Sequence, residues 1–569
     1  MRRKYHIVII GIVCLALNTL ASARPIRIKL RGQLPHPIKK NITSILLTLE
    51  KHANMETTPG AGRLRRQITN RVIEATSPFG YFSPQIHLQQ QQNIFIAHVN
   101  LGKPIIVTSI HVVLKGAGHH DKHFQRYLRR IPIKIGSRFQ SQRYSNIKNN
   151  LFRIASNRGY FKATLTKGNV IIDRKKKSAQ ITLIFHTGNR FRIGDSHISR
   201  TPLNPFFIRK YITYKQGEFY SNAKIQKTQR ALSNSDYFQQ AIVTPELNKI
   251  HHNTVPIDIR LTPVIKKEYN FGLGYGTNTS FRSLISITNN YINPDGHKLS
   301  MIAQLSKLNQ NVSSTYTIPG YRPRQNYYSL TGAYTQFKVS KTKRNSKAVK
   351  ISVGSTHLFQ HWTRVFSINA LNEQYSLVTS TVAKMLYPQL HVEYKKLDKP
   401  LQTRNGIAID FNATGTIKAL SSKSAFSQIS IGIKTLNTVA KTHTRVLLRG
   451  NIAKTYIHSI NNLPLSMQLF AGGTQSIRGY EYEALGPGKN LFTASAEIQQ
   501  KIVKQLYFAT FYDTGNVTNT KKLFKHTSSA AGVGLAWLSP IGMLEITAAH
   551  PIKKKNSKWV FQFSMGAYL

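Results

Sequence analysis

Two short segments near the C-terminus carry charge in a pattern capable of specific work. Gly472-Gly-Thr-Gln-Ser-Ile-Arg-Gly-Tyr480 is a glycine-bracketed loop with Arg478 at its tip, between Ile477 and Gly479. Further along, Phe511-Tyr-Asp-Thr-Gly-Asn-Val517 reads as a strand end carrying Asp513. An Arg and an Asp of this kind, enclosed in a polar lumen, form a charge-assisted pair, bidentate where the guanidinium fork meets both carboxylate oxygens. Gly472, Gly473 and Gly479 permit the tight backbone such docking needs, and Tyr480 supplies a ring to pack on a wall. Other chemistry finds no footing. The chain has no Gly-x-Ser-x-Gly, no Walker loop and no His-Glu-x-x-His. His119-His120-Asp121 and His251-His252 contain adjacent histidines, and neighbours do not face one metal on a helix or strand. No catalytic residue, metal site or cofactor is expected.

The elements that position this pair belong to a chain of 569 residues. It begins with Met1-Arg-Arg-Lys4, an apolar run from Ile7 to Leu20, and Ala21-Ser-Ala23. These are the parts of a signal peptide, residues 1–23, cleaved after Ala23. Cys14, the single cysteine, lies inside the apolar run, so the mature chain has no disulfide and no thiolate. No later stretch reaches the roughly eighteen apolar residues of a helical span. An exported chain without one is soluble in the periplasm or a β-barrel. The formal charge is +59. Its Lys and Arg are spread along the whole chain, and export removes it from nucleic acid, so no nucleic-acid partner is expected. A basic surface beside anionic lipid fits better. Drift in a Lys-, Ile- and Asn-rich composition explains the charge as well, so it carries no functional claim.

The N-terminal half repeats. Gly80-Tyr81-Phe82, Gly159-Tyr160-Phe161 and Asp236-Tyr237-Phe238 lie 79 and 77 residues apart. Gly136-Ser-Arg-Phe-Gln-Ser141 and Gly217-Glu-Phe-Tyr-Ser221 precede helical stretches 144–157 and 223–233, with Ser141 and Ser221 read as N-caps. In the latter stretch Ala223, Ile225, Gln226, Gln229, Arg230 and Leu232 give only a modest apolar face. Segments starting at Gly102 and Gly188 align and open strands. Each unit reads strand, helix, helix, strand, strand, and a fixed-period repeat of one small α/β unit indicates an array. The three tyrosines are expected to pack their own cores.

From about Lys267 the texture changes to short alternating segments broken by Gly, Asn and Pro. Roughly 300 residues at about 19 per strand and turn give about sixteen strands, an even number that suits an outer-membrane barrel. In Trp559-Val-Phe-Gln-Phe-Ser-Met565, Trp559, Phe561, Phe563 and Met565 share one face and Val560, Gln562 and Ser564 the other. Leu569 keeps the outward parity. The expected division is residues 24–101, 102–187 and 188–266 for the α/β repeats and 267–569 for a sixteen-stranded transmembrane antiparallel barrel.

The Arg-Gly-Tyr loop, the repeats and the terminal strand together resemble the outer-membrane assembly-factor superfamily, the barrels related to BamA and TamA. The repeats resemble its polypeptide-transport-associated (POTRA) domains. Gly532 to Gly542 resembles the penultimate hairpin, Tyr269 to Thr277 the first strand, and Thr288 to His297 the first hairpin. Three repeats and sixteen strands are similar to the TamA family. The BamA family has five repeats, and two-partner secretion transporters have two after a plug helix, which is not found here. The resemblance implies several expectations. Glu497 joins Asp513 as an inward acidic partner of Arg478. The first strand, with Gly272, Leu273 and Gly274, meets the last, with Trp559, Phe561, Phe563 and Leu569, at a weak lateral seam. The chain inserts or exports client outer-membrane proteins there, without nucleotide, alongside a TamB-like inner-membrane partner and outer-membrane lipid. A passive porin or adhesin barrel is the reading of another class, and it has no use for three repeats or the lumen loop.

Overall fold

The structure is a computed structural model that describes residues 26–52, 58–277, 280–339, 344–376, 380–399, 403–539, 542–552 and 557–566. The expected signal segment with Cys14, and Leu569 of the expected seam, lie outside the described residues. The described chain divides into two compact units. One runs to Asp195 and includes Lys215–Lys224 and Pro245–Ile257, and the other holds Ser196–Tyr214, Ile225–Thr244 and the chain from Asp258 onward.

Three α/β repeats share one order. The first is β1 (Arg27–Arg31), α1 (His36–His52), α2 (Thr58–Thr76), β2 (Gln85–Gln91) and β3 (Ile94–Asn100). The second is β4 (Ile106–Lys115), α3 (Lys122–Leu128), α4 (Ser141–Arg158), β5 (Thr164–Asp173) and β6 (Ser178–His186). The third is β7 (Arg192–Ile198), α5 (Pro205–Arg209), α6 (Asn222–Ser233), β8 (Phe238–Pro245) and β9 (Thr254–Pro263). Each makes a three-stranded sheet with the last strand in the centre, in the orders β1-β3-β2, β4-β6-β5 and β7-β9-β8. The central strand is covered, so it reads apolar at alternate positions: Ala179, Ile181, Leu183 and Phe185 of β6 are all fully buried. The helices meet the sheets on faces of helical period, such as Ile38, Ile42 and Leu46 on α1 and Ile147, Leu151 and Ala155 on α4.

Two local expectations are corrected. Ser141 is the first helical residue of α4; Gln140 holds the cap position and its side chain makes no cap bond. On α6 the buried face is Ile225, Thr228, Ala231 and Leu232. Polar Thr228 belongs to it because its hydroxyl oxygen accepts from the Thr213 amide at 2.9 Å.

The Gly-Tyr-Phe motif is a junction. Gly80 and Gly159 close the preceding helical turns at φ +90° and +84°, a region that suits glycine. Asp236 replaces glycine in the third repeat, where the backbone does not enter that region. A following backbone amide then docks on each turn: Ile105 on the Gly80 carbonyl (2.8 Å), Phe191 on Gly159 (2.8 Å) and Val264 on Tyr237 (2.9 Å). The three tyrosines do more than fill cores. The Tyr81 hydroxyl accepts from Arg138 (3.0 Å) of the next repeat, Tyr160 donates to Asp121 (3.1 Å), and Tyr237 donates to the Gly296 carbonyl (2.6 Å) in a barrel turn.

Sixteen strands form one antiparallel sheet, each paired with its neighbour. The first eleven are β10 (Lys267–Gly276), β11 (Ser280–Asn289), β12 (Lys298–Ser306), β13 (Asn309–Pro319), β14 (Asn326–Val339), β15 (Arg344–Phe359), β16 (Trp362–Ser376), β17 (Ser380–Leu397), β18 (Gly406–Thr416), β19 (Phe426–Val439) and β20 (Thr444–Tyr456). A two-stranded ribbon, β21 (Leu469–Ala471) and β22 (Leu485–Gly488), interrupts the series. The sheet resumes with β23 (Asn490–Val503), β24 (Leu506–Thr518), β25 (Ser528–Ser539), β26 (Gly542–Pro551) and β27 (Val560–Gly566). Of Thr288 to His297, expected as the first hairpin, the first two residues end β11 and residues 290–297 connect it to β12, the second and third barrel strands. Outward and inward side chains alternate. On β15, Val349, Ile351 and Val353 are about half exposed while Arg344, Ser346 and Ala348 are buried inside.

Candidate functional site

Residues 457–489, between β20 and β23, enter the lumen. The ribbon β21–β22 carries the Gly472–Tyr480 segment at its end. Its turn closes on itself: the Gly473 amide donates to the Tyr480 carbonyl (3.1 Å) and the Ser476 amide to Gly473 (3.2 Å). Gly472, Gly473 and Gly479 hold φ of +109°, +99° and +87°. A Cβ on Gly472 would lie 2.3 Å from the Glu481 carbonyl oxygen, so only glycine fits there. Ile477 is fully buried, and Tyr480 packs beside it while its carbonyl accepts from Gln562 on β27 (3.4 Å).

Arg478 is 2% exposed and every guanidinium N–H finds an acceptor. Nε donates to Asp513 Oδ2 (2.8 Å) and Nη2 to Asp513 Oδ1 (2.9 Å), the two-pronged pairing the residue types favour. The Arg478 backbone amide also donates to Asp513 Oδ2 (2.9 Å), fixing the loop as well as the side chain. Nη1 reaches Glu497 (2.6 Å) and Glu545 (3.1 Å), and Nη2 reaches the Ser495 hydroxyl (3.2 Å). The guanidinium carbon sits 3.4 Å from the centroid of the Phe511 ring, a cation–π contact. Three strands of the last five supply this cradle: β23 gives Ser495 and Glu497, β24 gives Phe511 and Asp513, and β26, one strand beyond β25, gives Glu545.

Three buried carboxylates around one guanidinium need further donors. Gln499 Nε2 donates to Glu497 Oε1 (2.5 Å), and Arg445 Nη1 in turn donates to Gln499 (2.8 Å). Arg449 adds a second cation, bonding Ser495 Oγ (3.2 Å) and the Thr474 carbonyl (3.4 Å) of the loop. Sequence reasoning reached Arg478, Glu497 and Asp513 and missed Glu545, Phe511 and Arg449. Glu545 had one signal: it is the one acid of its strand and sits at an inward position.

The loop has a second anchorage on the wall formed by β15 and β16. Glu373, fully buried, accepts from the Ser466 amide (3.1 Å) and hydroxyl (2.5 Å) and from Ser346 (2.8 Å). Tyr375 donates to the Asn461 carbonyl (2.8 Å), and Arg344 to the Glu483 carbonyl (2.9 Å). A 470 Å³ cavity lies in this part of the lumen, with Ser346, Leu371, Tyr387, Ser466 and Glu483 in its lining.

The two edge strands of the sixteen, β10 and β27, have no backbone pairing with each other among the described residues. One side chain joins them: the Thr277 hydroxyl donates to the Phe563 carbonyl (3.4 Å) and accepts from the Phe563 amide (3.2 Å). Antiparallel continuation from that contact sets Tyr275 opposite Met565. Gly272 and Gly274 oppose Leu284 and Arg282 on β11. Leu273 is 76% exposed; Trp559 and Phe561 are also exposed, whereas Phe563 is half-buried.

A sixteen-stranded barrel with an arginine loop docked on lumenal acids and with α/β repeats at its N-terminal side is the architecture of an outer-membrane assembly-type barrel. The family model described as the Omp85 superfamily domain matches residues 267–568, and that of POTRA domain, TamA domain 1, matches residues 27–101. The chain belongs to the Omp85 superfamily. Its barrel therefore lies in the outer membrane of a Gram-negative cell, with the N-terminal domains in the periplasm. Among curated relatives it is similar to the outer membrane protein assembly factor BamA of Neisseria meningitidis serogroup B, with 20% identity over 68% of this chain and 58% of that one. It is likewise similar to BamA of Neorickettsia risticii, with 22% identity over 65% of this chain and 54% of the relative. The chain thus spans rather more than half the length of these relatives. The crystal structure of BamA from Haemophilus ducreyi lacking POTRA domains 1-3 superposes at a TM-score of 0.70 and 18% identity, covering 80% of this chain and 99% of that one, which shows the shared fold.

Proposed function

We propose that this protein is a TamA-like assembly factor that inserts or exports other outer-membrane proteins through the β10–β27 seam. The observation that carries the reading is that seam. Every other neighbouring pair in the sheet is joined by a backbone ladder, while the hydrogen bonds between these two edges among the described residues are those of the Thr277 hydroxyl. An open edge presents unpaired N–H and C=O groups, a template on which an incoming strand can pair. Strand exchange of this kind draws on folding energy and needs no nucleotide. The three repeats and the TamA-type match of the first support the TamA branch and a TamB-like inner-membrane partner. The similarity to assembly factors named BamA favours a BamA-like role as the second reading.

The test is disulfide crosslinking of Tyr275→Cys with Met565→Cys in outer membranes, with and without a client barrel arrested during assembly. Efficient crosslinking that the client suppresses is the expected result. Crosslinking indifferent to any client marks a static barrel and returns the porin reading. Co-purification of an inner-membrane protein with the chain separates the TamA-like reading from the BamA-like one.

A further inference from the structure

We propose that the helical face of the second α/β repeat is a binding site for the phosphate headgroup of an anionic phospholipid. Lys122, Arg126, Arg129 and Arg130, on α3 and just past its end, are exposed and have no acidic partner among the described residues. Three hollows meet along this helix. One of 590 Å³ is lined by Lys122, His123, Arg158 and Arg190 among others. A second, of 330 Å³, shares His123 and Arg158 and adds Arg126, Arg130 and Arg153. A third, of 380 Å³, shares Arg126 and Arg130 and adds Arg129. The shared walls make them one cationic trough.

The carboxylate within it is already engaged. Asp121 accepts from the His123 amide (2.9 Å), from Arg158 Nε (3.1 Å) and from the Tyr160 hydroxyl (3.1 Å). Arg153 is braced by Nε and Nη2 on Asn150 Oδ1 (3.1 and 2.8 Å). The cations are mostly Arg, whose planar fork matches phosphate oxygens two at a time. Tyr127 and Ile154 give the middle hollow an apolar wall, which suits an amphiphile better than a free anion. The chain works at a membrane, where anionic phospholipid is the abundant molecule of that chemistry and clustered Arg and Lys are its usual recognition.

The test holds the full chain in phosphatidylcholine nanodiscs, with Cys14→Ser and a polarity-sensitive dye on Ser156→Cys, an exposed position beside the trough. The probe is soluble dihexanoyl phosphatidylglycerol below its micelle concentration. Comparators are dihexanoyl phosphatidylcholine, inorganic phosphate and a Glu-rich peptide. Phosphatidylglycerol should half-saturate at a concentration at least ~10-fold below all three. The triple variant R126A/R130A/R153A should abolish that preference. R174A/K175A/K176A, which removes the same charge from the turn between β5 and β6, should keep it. Equal response to both lipids, a preference that survives the first triple, or one lost in the second, overturns the proposal. Tighter binding of the peptide or of phosphate than of phosphatidylglycerol also overturns it, assigning the trough to polypeptide or to free anion.

Discussion

Thr277 and Phe563 meet across the two ends of the barrel sheet through one hydroxyl, which accepts from the Phe563 amide at 3.2 Å and donates to its carbonyl at 3.4 Å. Each such bond contributes about 0.5–1.5 kcal/mol net. Thr277→Val keeps the shape and removes both. The Tyr275→Cys/Met565→Cys crosslink, measured in outer membranes, should then form several-fold more slowly. An unchanged rate would mean that other contacts hold the seam.

Arg478→Met leaves Asp513, Glu497 and Glu545 facing one another in a buried wall. Breaking a buried pair from one side costs about 3–5 kcal/mol, because the remaining charges stay unpaired. The temperature at which the folded barrel loses its compact mobility on a semi-native gel should fall sharply. Arg478→Lys should be intermediate, since an ammonium has too few donors for this cradle. The double variant R478M/D513N should recover part of the loss. Glu545→Gln, which gives up one 3.1 Å contact and leaves the Asp513 fork intact, should be mild.

Glu373 ties the lumen loop to the wall opposite the Arg478 cradle. Glu373→Ala should release the segment around Ser466 and raise the single-channel conductance in planar bilayers, while the gel transition set by Arg478 stays in place. Ser466→Ala should act in the same direction and less, because its backbone amide still reaches Glu373 (3.1 Å). Wild-type conductance from Glu373→Ala would show that this anchor does not close the lumen.

The Asp121–Tyr160 pair predicts a pH profile for the second repeat. Burial raises the Asp121 carboxyl, but the His123 amide and the Arg158 charge outweigh it, and the group lies below the usual carboxylate range. Its contribution is therefore complete above about pH 4 and fades as pH falls through the depressed value. Burial, and then the Asp121 charge, push the Tyr160 hydroxyl up to about 12. The folded state thus keeps a proton that the unfolded chain loses near pH 10, and stability declines as pH climbs from ~10 to about 12. Hydrogen exchange of α4 amides, corrected for intrinsic rates, should show both limbs. Tyr160→Phe should remove the alkaline limb, and Asp121→Asn should flatten the acid one.

Much of this was legible in the chain itself. Alternation with period two along β27 separates lipid-facing Phe561 from lumen-facing Gln562 because a strand has only two faces. The spacing of Gly80, Gly159 and Asp236 marks three copies of one unit because each turn follows the second helix of its unit in the same order of elements. The glycines around Arg478 announce a tight loop for steric reasons that need no neighbours. The rest belongs to the tertiary structure. Glu545 lies 67 residues from Arg478, and nothing local ties them; they meet because the loop enters the lumen, onto which β23, β24 and β26 all turn their inward side chains. The tyrosines at 81, 160 and 237 are alike in sequence and differ in partner: Tyr81 meets an arginine of the next repeat, Tyr160 an acid of its own repeat and Tyr237 a barrel turn, and each pairing is set by the packing around that hydroxyl. The first and last strands read as ordinary strands, and the absence of a backbone ladder between them among the described residues is a property of how sixteen of them come round to meet, which no single strand encodes.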